Sequence, residues 1–369
     1  MHVVVAGGGS AGHIEPALAF ADALRRRDPS AQVTALGTER GLDTRLIPAR
    51  GYPLRLIPPV PIPRRDPVGL LKVPARLRAA VSAAEAVLRA VHADALVGFG
   101  GFVAGPAYLA ARRAKVPIVV HEANPRPGWA NRLGARLTTY VATSFPGTPI
   151  RHGRLVGLPI RQAVATLDRA ARRGEARAAY GLDPDRPTLL VTGGSQGARR
   201  LNDAAAGAAG HLRSQGVQVL HATGPAQTVQ LPEVTDAATS PPYVVLPYLD
   251  RMELAYAAAD LALCRAGANT VVELTAVGLP AAYVPLPIGN GEQELMARPV
   301  VEAGGGLLVD DASCTPEWVR STLTPLLTDP GRLATMSAAA ASSGRPDADD
   351  RLVDLVLEAV AGPGGRRAS

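Results

Sequence analysis

Short apolar runs alternate along this chain with longer stretches whose apolar residues recur at helical spacing. In the first half, strands are predicted at 2–6, 32–37, 95–98 and 117–120, then near 139–143 and 153–156. Helices are predicted at 14–27, 74–92, 104–114 and 127–135, and a Pro-rich stretch runs from Pro53 to Pro67. The second half repeats the alternation. A helix at 169–180 leads into strands near 188–192, 217–221, 243–246, 261–263, 281–284 and 306–309. Further helices fall near 198–213, 251–258, 268–277, 292–303, 315–327 and 331–342, and an amphipathic segment covers 349–361. Strands that alternate with helices at this spacing build parallel sheets.

Two strand-to-helix turns are glycine-rich. Gly7-Gly8-Gly9-Ser10-Ala11-Gly12-His13 follows Val3-Val4-Val5, and Gly193-Gly194-Ser195-Gln196-Gly197-Ala198-Arg199 follows Leu189-Leu190-Val191. A loop without bulky side chains that opens a helix presents free N–H groups and a positive dipole end, which suits phosphate. Two such turns suggest two Rossmann-like halves facing one phosphorylated ligand system. At 369 residues two domains are expected in any case. Gly157 in Val156-Gly157-Leu158-Pro159-Ile160-Arg161 marks the candidate linker. Residues 1–158 then form the first domain and 159–345 the second, with 346–369 a terminal helix able to pack back on the first domain and a disordered tail.

Composition narrows the class. Hydrophobic residues make up 47% and aromatic residues 4%, as in an Ala/Val/Leu-rich α/β protein. The two cysteines, Cys264 and Cys314, form no CxxC pair, so a disulfide framework or zinc site is not expected and a reducing compartment fits. A strand begins within three residues of Met1, with no basic segment followed by a long apolar run, so no signal peptide is expected. No apolar run approaches the ~20 residues that span a bilayer. Residues 1–160 hold 21 basic and 9 acidic side chains, a balance of +12; the remainder hold 18 and 23, a balance of −5. The basic half is consistent with solubility alone or with an anionic surface or substrate. No aromatic-interleaved basic stripe points to nucleic acid.

Individual residues carry more. Gly7, Gly9 and Gly12 satisfy GxGxxG, a pattern shared by many nucleotide binders and compatible with a simple tight turn. His13 stands beside that loop and can donate to an anion, take a proton from a hydroxyl, or merely cap the helix. Glu39, after the second strand, would be the ribose-binding acid of a dehydrogenase. In Cys264-Arg265-Ala266-Gly267-Ala268-Asn269-Thr270-Val271-Val272-Glu273-Leu274, Glu273 lies on an otherwise apolar helix. A carboxylate there needs a partner, either a ribose diol or a neighbouring arginine. His121-Glu122-Ala123-Asn124 closes a buried strand and faces the ligand crevice, or Asn124 simply caps the next helix.

Five segments in order, GGGSAGHIEPALA, GFGGFVAGPA, HEAN, GGSQGARRLN and RAGANTVVELTAVGLPA, resemble the MurG family of peptidoglycan N-acetylglucosaminyltransferases over nearly the whole chain. The resemblance implies an α/β GT-B fold, two Rossmann-like parallel-sheet domains facing a central cleft. It implies the donor UDP-GlcNAc mainly on the C-terminal half and a lipid acceptor on the N-terminal half. It further implies inversion without an obligatory catalytic metal or other cofactor. Carried over by position, it places Ser10, Ala11 and Gly12 near the ligand phosphate or sugar, and Asn124 near the GlcNAc. Arg161 and Ser195 go to the donor pyrophosphate, and Leu249 to the uracil. Ala268, Asn269, Thr270, Val271, Val272 and Glu273 run along the phosphates and ribose, and Gln293 reads the sugar. Two positions depart from the family pattern: Met296, where asparagine is usual, and Ser10-Ala11-Gly12, where Thr-Gly-Gly is common.

The expected reaction is direct displacement at the anomeric carbon of GlcNAc by O4 of N-acetylmuramic acid in undecaprenyl-pyrophosphoryl-MurNAc-pentapeptide, lipid I, giving lipid II. The Ser195 loop, Arg161 and the helix at Ala268 would stabilise the departing UDP. His13 is the first candidate base and Glu122 the second. Val68-Gly69-Leu70-Leu71-Lys72-Val73, flanked by Arg64, Arg65, Arg76 and Arg78, suits docking on the anionic cytoplasmic face of the cell membrane as a peripheral protein, and equally an ordinary helix with solvated arginines. Cell-wall synthesis and division proteins are candidate partners on the same resemblance. The rival readings are a UDP-GlcNAc 2-epimerase, a nicotinamide dehydrogenase, and a non-enzymatic UDP-sugar-binding paralogue acting as a membrane-associated scaffold.

Overall fold

A computed structural model describes the chain except for residues 10, 40, 61–72, 234–239, 289 and 363–369, and the side chain of Ala11. The chain divides into two units: Met1–Arg161 with Asp347–Ser369, and Gln162–Pro346.

The first unit is a seven-stranded parallel sheet in the order β3-β2-β1-β4-β5-β6-β7. Its strands are β1 His2–Gly7, β2 Gln32–Gly37, β3 Leu54–Leu56, β4 Ala95–Gly100, β5 Ile118–Glu122, β6 Val141–Thr143 and β7 Gly153–Leu155. The central strands are apolar throughout because both faces are covered. On one face Val3, Val5 and Val97 pack with Ile14, Phe20 and Leu24 of the helix Ala11–Arg27 and with Leu352 and Val356 of the terminal helix Ala348–Ala361. On the other, Val4, Leu96 and Val120 pack with helices Val73–Ala90 and Gly101–Ala114. The terminal helix is pinned by Arg26 to Asp349 at 2.8 Å and by Arg154 to Glu358 at 2.8 Å. Register runs Val5↔Ala35 and Val5↔Val97, with a shift at Gly7, which pairs with Gly100 where both chains leave the sheet.

The second unit is a six-stranded parallel sheet in the order β10-β9-β8-β11-β12-β13. Here β8 is Thr188–Thr192, β9 Gln218–Ala222, β10 Tyr243–Leu246, β11 Leu261–Cys264, β12 Ala281–Tyr283 and β13 Gly306–Leu308. Leu189, Val191, Val219 and Leu263 form its core with Leu201, Leu212, Leu323 and Met336.

Most predicted elements are present, with ends shifted by a few residues. Helix Asp43–Ala49 and strand β3 fall where no regular element was expected, since both are short and beside prolines. The predicted helix 198–213 is two helices, Arg199–Gly207 and Ala209–Ser214. The predicted helix 315–327 is interrupted by a π-type turn at Val319–Leu323. Among the described residues, no helix is long and apolar enough to cross a membrane.

Candidate functional site

In each sheet the strand order reverses at one place, between β1 and β4 in the first unit and between β8 and β11 in the second. Loops at the carboxyl ends of such neighbouring strands diverge and leave a crevice. The topology therefore pairs Gly7–Gly9 with Gly100–Gly101, and Gly193–Gly197 with Arg265–Gly267.

The second crevice is a pocket whose lining includes Thr192, Ser195, Leu249, Asn269, Thr270 and Glu273. Gly197 has φ +72°, and a Cβ there would overlap the Thr223 carbonyl, so only glycine serves. The loop is shaped from behind by a buried polar network that the sequence reading missed. Asn202 Nδ2 donates to Thr223 O at 3.0 Å and to Gln227 Oε1 at 2.9 Å, and Gln227 Nε2 donates to Gln196 O at 3.2 Å. With both amide hydrogens engaged, Asn202 Oδ1 accepts from His221 Nε2 at 3.0 Å, so His221 Nδ1 accepts from the Tyr243 hydroxyl at 2.9 Å. Burial pushes His221 down to about 4, so the ring stays neutral and the tautomer fixed.

Helix Ala268–Ala276 starts at Gly267, which has no side chain to cap it. Its first turn, at Asn269 and Thr270, and the loop at Gly194 and Ser195 border the same pocket, although Gly194 N and Gly197 N are spent inside the loop on Thr192 Oγ1 and Gly194 O. Asn269 Oδ1 is a buried acceptor without a hydrogen-bond partner. Glu273 faces the pocket, and its Oε2 accepts from the Tyr256 hydroxyl at 2.7 Å. The pocket also places Leu249, 5% exposed, at its wall. Val271 and Val272 are buried on the core side of the same helix, so their side chains are not ligand contacts and only their backbone could serve. Arg265 spans between strands, pairing with Asp311 at 2.6 Å and donating to Val284 O and Pro285 O at 3.2 Å.

Gln293 is not among the residues lining this pocket, and its Oε1 accepts from Leu286 N at 3.0 Å, which shapes the loop after β12. Met296 is 5% exposed and packs inward, so the departure from asparagine there fills core rather than presenting a side chain to ligand.

The first crevice differs. Asp43, fully buried, accepts from Gly9 N at 2.8 Å and Thr38 N at 2.9 Å. One donor of the first loop is thereby spent on a carboxylate, and the negative charge behind the loop makes it a poorer anion seat than glycine content alone implies. Glu39, the expected ribose acid of a dehydrogenase, is exposed, while Asp43 takes the interior position. Ser10 and the side chain of Ala11 lie outside the described residues; Gly12 is exposed in the first helical turn.

His13 is half-buried, and desolvation holds its imidazole below the usual range. A Cβ on Gly100, where φ is +93°, would lie 3.3 Å from both His13 Nε2 and Asn131 Nδ2, so glycine lets the two side chains approach one piece of backbone.

Glu122, the second candidate base, is 2% exposed and engaged. It accepts from Asn124 N at 2.9 Å, Gly128 N at 3.0 Å and Asn131 Nδ2 at 2.9 Å. Asn131 Oδ1 in turn accepts from Tyr108 at 2.7 Å. These donors hold the carboxylate as an acceptor inside the loop that presents Asn124, and they turn it away from solvent. His121 Nε2 donates to Gly157 O at 2.8 Å, and burial holds that ring at about 4. Arg161 ends the first segment of the first unit and is half-buried. Among the described residues, no group of three or more His, Cys, Asp or Glu could hold a metal ion.

Two parallel-sheet Rossmann-like units, each with a glycine loop at its switch point, define the GT-B class of glycosyltransferase fold. Residues 3–143 match the glycosyltransferase family 28 N-terminal domain and residues 188–352 its C-terminal domain. The chain belongs to glycosyltransferase family 28, and within it to the MurG group. It is 63% identical over 361 residues, 98% of this chain and 99% of the relative, to the UDP-N-acetylglucosamine–N-acetylmuramyl-(pentapeptide) pyrophosphoryl-undecaprenol N-acetylglucosamine transferase of Streptomyces avermitilis. The enzyme of the same name from Mycolicibacterium smegmatis is 58% identical, covering 96% of this chain and 93% of the relative. The crystal structure of Acinetobacter baumannii MurG superposes with a TM-score of 0.77 at 30% identity, over 97% of this chain and 99% of that one. A UDP-GlcNAc 2-epimerase from Neisseria meningitidis, solved with UDP-GlcNAc, shares the fold alone. Its TM-score is 0.66 at 14% identity, with 97% of this chain and 100% of that one covered.

Proposed function

We propose that this protein transfers GlcNAc from UDP-GlcNAc to O4 of the MurNAc of undecaprenyl-pyrophosphoryl-MurNAc-pentapeptide, with inversion, in peptidoglycan synthesis. The observation that carries the reading is full-length identity of 63% to a transferase whose name states that donor sugar and that acceptor. The second-unit pocket supports the donor half. A helix N-terminus and a glycine loop suit a pyrophosphate, and Glu273 on the same wall suits a ribose diol. Leu249 at the wall suits a base edge, and Asn269 Oδ1 offers an acceptor to a ligand hydroxyl or N–H.

The first unit supports the acceptor half. A neutral imidazole at physiological pH can take the proton of an attacking hydroxyl, and desolvation favours that neutral state at His13. We assign the base role to His13 and give Glu122 the task of holding the Asn124 loop. Arg161 and the Ser195 loop remain our assignment for the charge that grows on the departing UDP. Phe102 and Trp129, 58% and 49% exposed at the starts of the helices that follow β4 and β5, add apolar surface suited to a lipid-linked acceptor. We assign the protein peripherally to the anionic cytoplasmic membrane face, on the basic balance of residues 1–160 and the apolar-basic stretch 64–78. Residues 64–72 of that stretch lie outside the described residues.

Incubation with UDP-GlcNAc and a short-chain lipid I analogue tests the reading. Acceptor-dependent disaccharide with equimolar UDP is expected. UDP-ManNAc formed without acceptor would replace it with the epimerase reading.

A further inference from the structure

Tyr256 and Glu273 sit on different helices, Met252–Ala258 and Ala268–Ala276, and meet at the pocket wall. The phenol is 2% exposed, and its hydroxyl donates to Glu273 Oε2 at 2.7 Å. A buried tyrosine hydroxyl needs a partner, and here the partner is a side chain that faces the pocket rather than the core.

One half-buried arginine ties the two helices together. Arg169 donates through Nε to Tyr256 O at 3.0 Å, through Nη2 to Ala259 O at 2.6 Å and through Nη1 to Gly278 O at 2.8 Å. The first two carbonyls end the helix that carries Tyr256, and the third follows the helix that carries Glu273. Burial lowers Arg169 to about 10, which still leaves it charged at neutral pH. The separation between phenol and carboxylate is therefore set by a fork whose three bonds reach both elements.

A glutamate side chain has three rotatable bonds, and ordering them at binding costs affinity. Fixing one carboxylate oxygen beforehand removes much of that cost. An ionised carboxylate has about four lone-pair sites, so the bond from Tyr256 does not by itself exhaust it.

We propose that Tyr256 is a positioning residue for nucleotide recognition: its hydroxyl pre-orients Glu273 to accept from the ribose diol of the donor, with Arg169 fixing the two helices that carry the pair. The proposal rests on the reading of Glu273 as the ribose-binding carboxylate, and the experiment separates the two. Affinities for UDP and for 2′,3′-dideoxy-UDP are measured by calorimetry on the full chain, its Tyr256→Phe, Glu273→Gln and doubly substituted variants.

The parent should favour UDP over the dideoxy nucleotide, and Glu273→Gln should largely abolish that preference. Tyr256→Phe should reduce the preference by about 3- to 10-fold, a fraction of what a whole hydrogen bond to a charged group is worth, because the ribose contact is loosened and not removed. The double variant should be no worse than Glu273→Gln alone, since both changes act on one interaction. If Glu273→Gln keeps the parent's preference, the ribose reading fails and the proposal fails with it. If Glu273→Gln abolishes the preference but Tyr256→Phe leaves it intact, Glu273 reads ribose without help and the proposal alone is overturned. A general loosening of the fold would weaken both nucleotides alike and leave their ratio unchanged, which counts equally against positioning. Should Tyr256→Phe unfold, Arg169→Lys tests the same coupling and should lower the same ratio.

Discussion

The carboxylate of Asp43 accepts the backbone N–H of Gly9 at 2.8 Å, across 34 residues of sequence, and so fixes the first glycine loop from inside the fold. The same side chain accepts from Thr38 N at 2.9 Å. Asp43→Asn offers one acceptor oxygen where two are used, and sets an amide donor against an N–H. Leaving such a buried group unsatisfied costs about 1–3 kcal/mol, so the variant should melt several degrees lower. Transfer should slow too, because His13 opens the helix that follows this loop. An unchanged melting temperature would show that the loop holds itself.

Glu122 and His13 are distinguished by pH. As the base, His13 must be neutral, and desolvation lowers its pKa from the ordinary 6.5. The acid limb of kcat/KM should therefore fall below pH 6.5, with a plateau above it. His13→Ala should lower turnover by roughly 10²–10⁴-fold, with UDP affinity kept, and should erase that limb.

Glu122→Gln should behave differently. The donors Asn124 N, Gly128 N and Asn131 Nδ2 would compete for a single acceptor oxygen. Stability should drop by about 1–3 kcal/mol while the residual activity keeps the parent's acid limb. Loss of the limb in Glu122→Gln, with His13→Ala retaining it, would exchange the two roles.

Two buried histidines should make the protein acid-sensitive. His121 and His221 each titrate at about 4 in the fold, below the ordinary 6.5. Between those values the unfolded chain binds protons that the folded chain does not, so stability falls as pH drops through the window and levels off below it. Each residue can contribute about 3 kcal/mol to that loss, at about 1.4 kcal/mol per pH unit. Urea denaturation from pH 7 to 4 should show the slope, and His221→Gln should roughly halve it, leaving the share of His121. A parallel slope in the variant would assign the effect elsewhere.

Membrane docking is tested on the apolar-basic stretch. Replacing Arg64, Arg65 and Lys72 by glutamine should reduce co-sedimentation with anionic vesicles, since each basic residue near such a surface adds about 1 kcal/mol, screened over about 8 Å at physiological salt. Turnover on a water-soluble acceptor should survive. Sedimentation equal to the parent's would place the docking surface elsewhere, and collapse of soluble turnover would make these residues part of the substrate site or fold.

The alternation of apolar runs and helical periods determines the class of this protein, because a strand buried on both faces must be apolar throughout and its crossover helices must be amphipathic. Val3-Val4-Val5 and Leu189-Leu190-Val191 declare β1 and β8 this way, and the glycines after them declare close backbone turns. Strand order is not in that pattern. Only the fold pairs β1 with β4 and β8 with β11, which brings Gly100 against His13 and sets the Ser195 loop beside the Ala268 helix. Side-chain direction is likewise tertiary: Val271, Val272 and Glu273 are consecutive, yet only the helix's packing decides that the valines face the core and the carboxylate faces the pocket. Of the groups that hold the sites, Asp43, Asn131, His221 and Arg169 lie outside the quoted segments, and Asn202 ends one of them with its role illegible there, because each acts on partners that the local pattern does not name. Their worth comes from burial, where an unmade hydrogen bond is expensive, and burial is a property of the packed molecule.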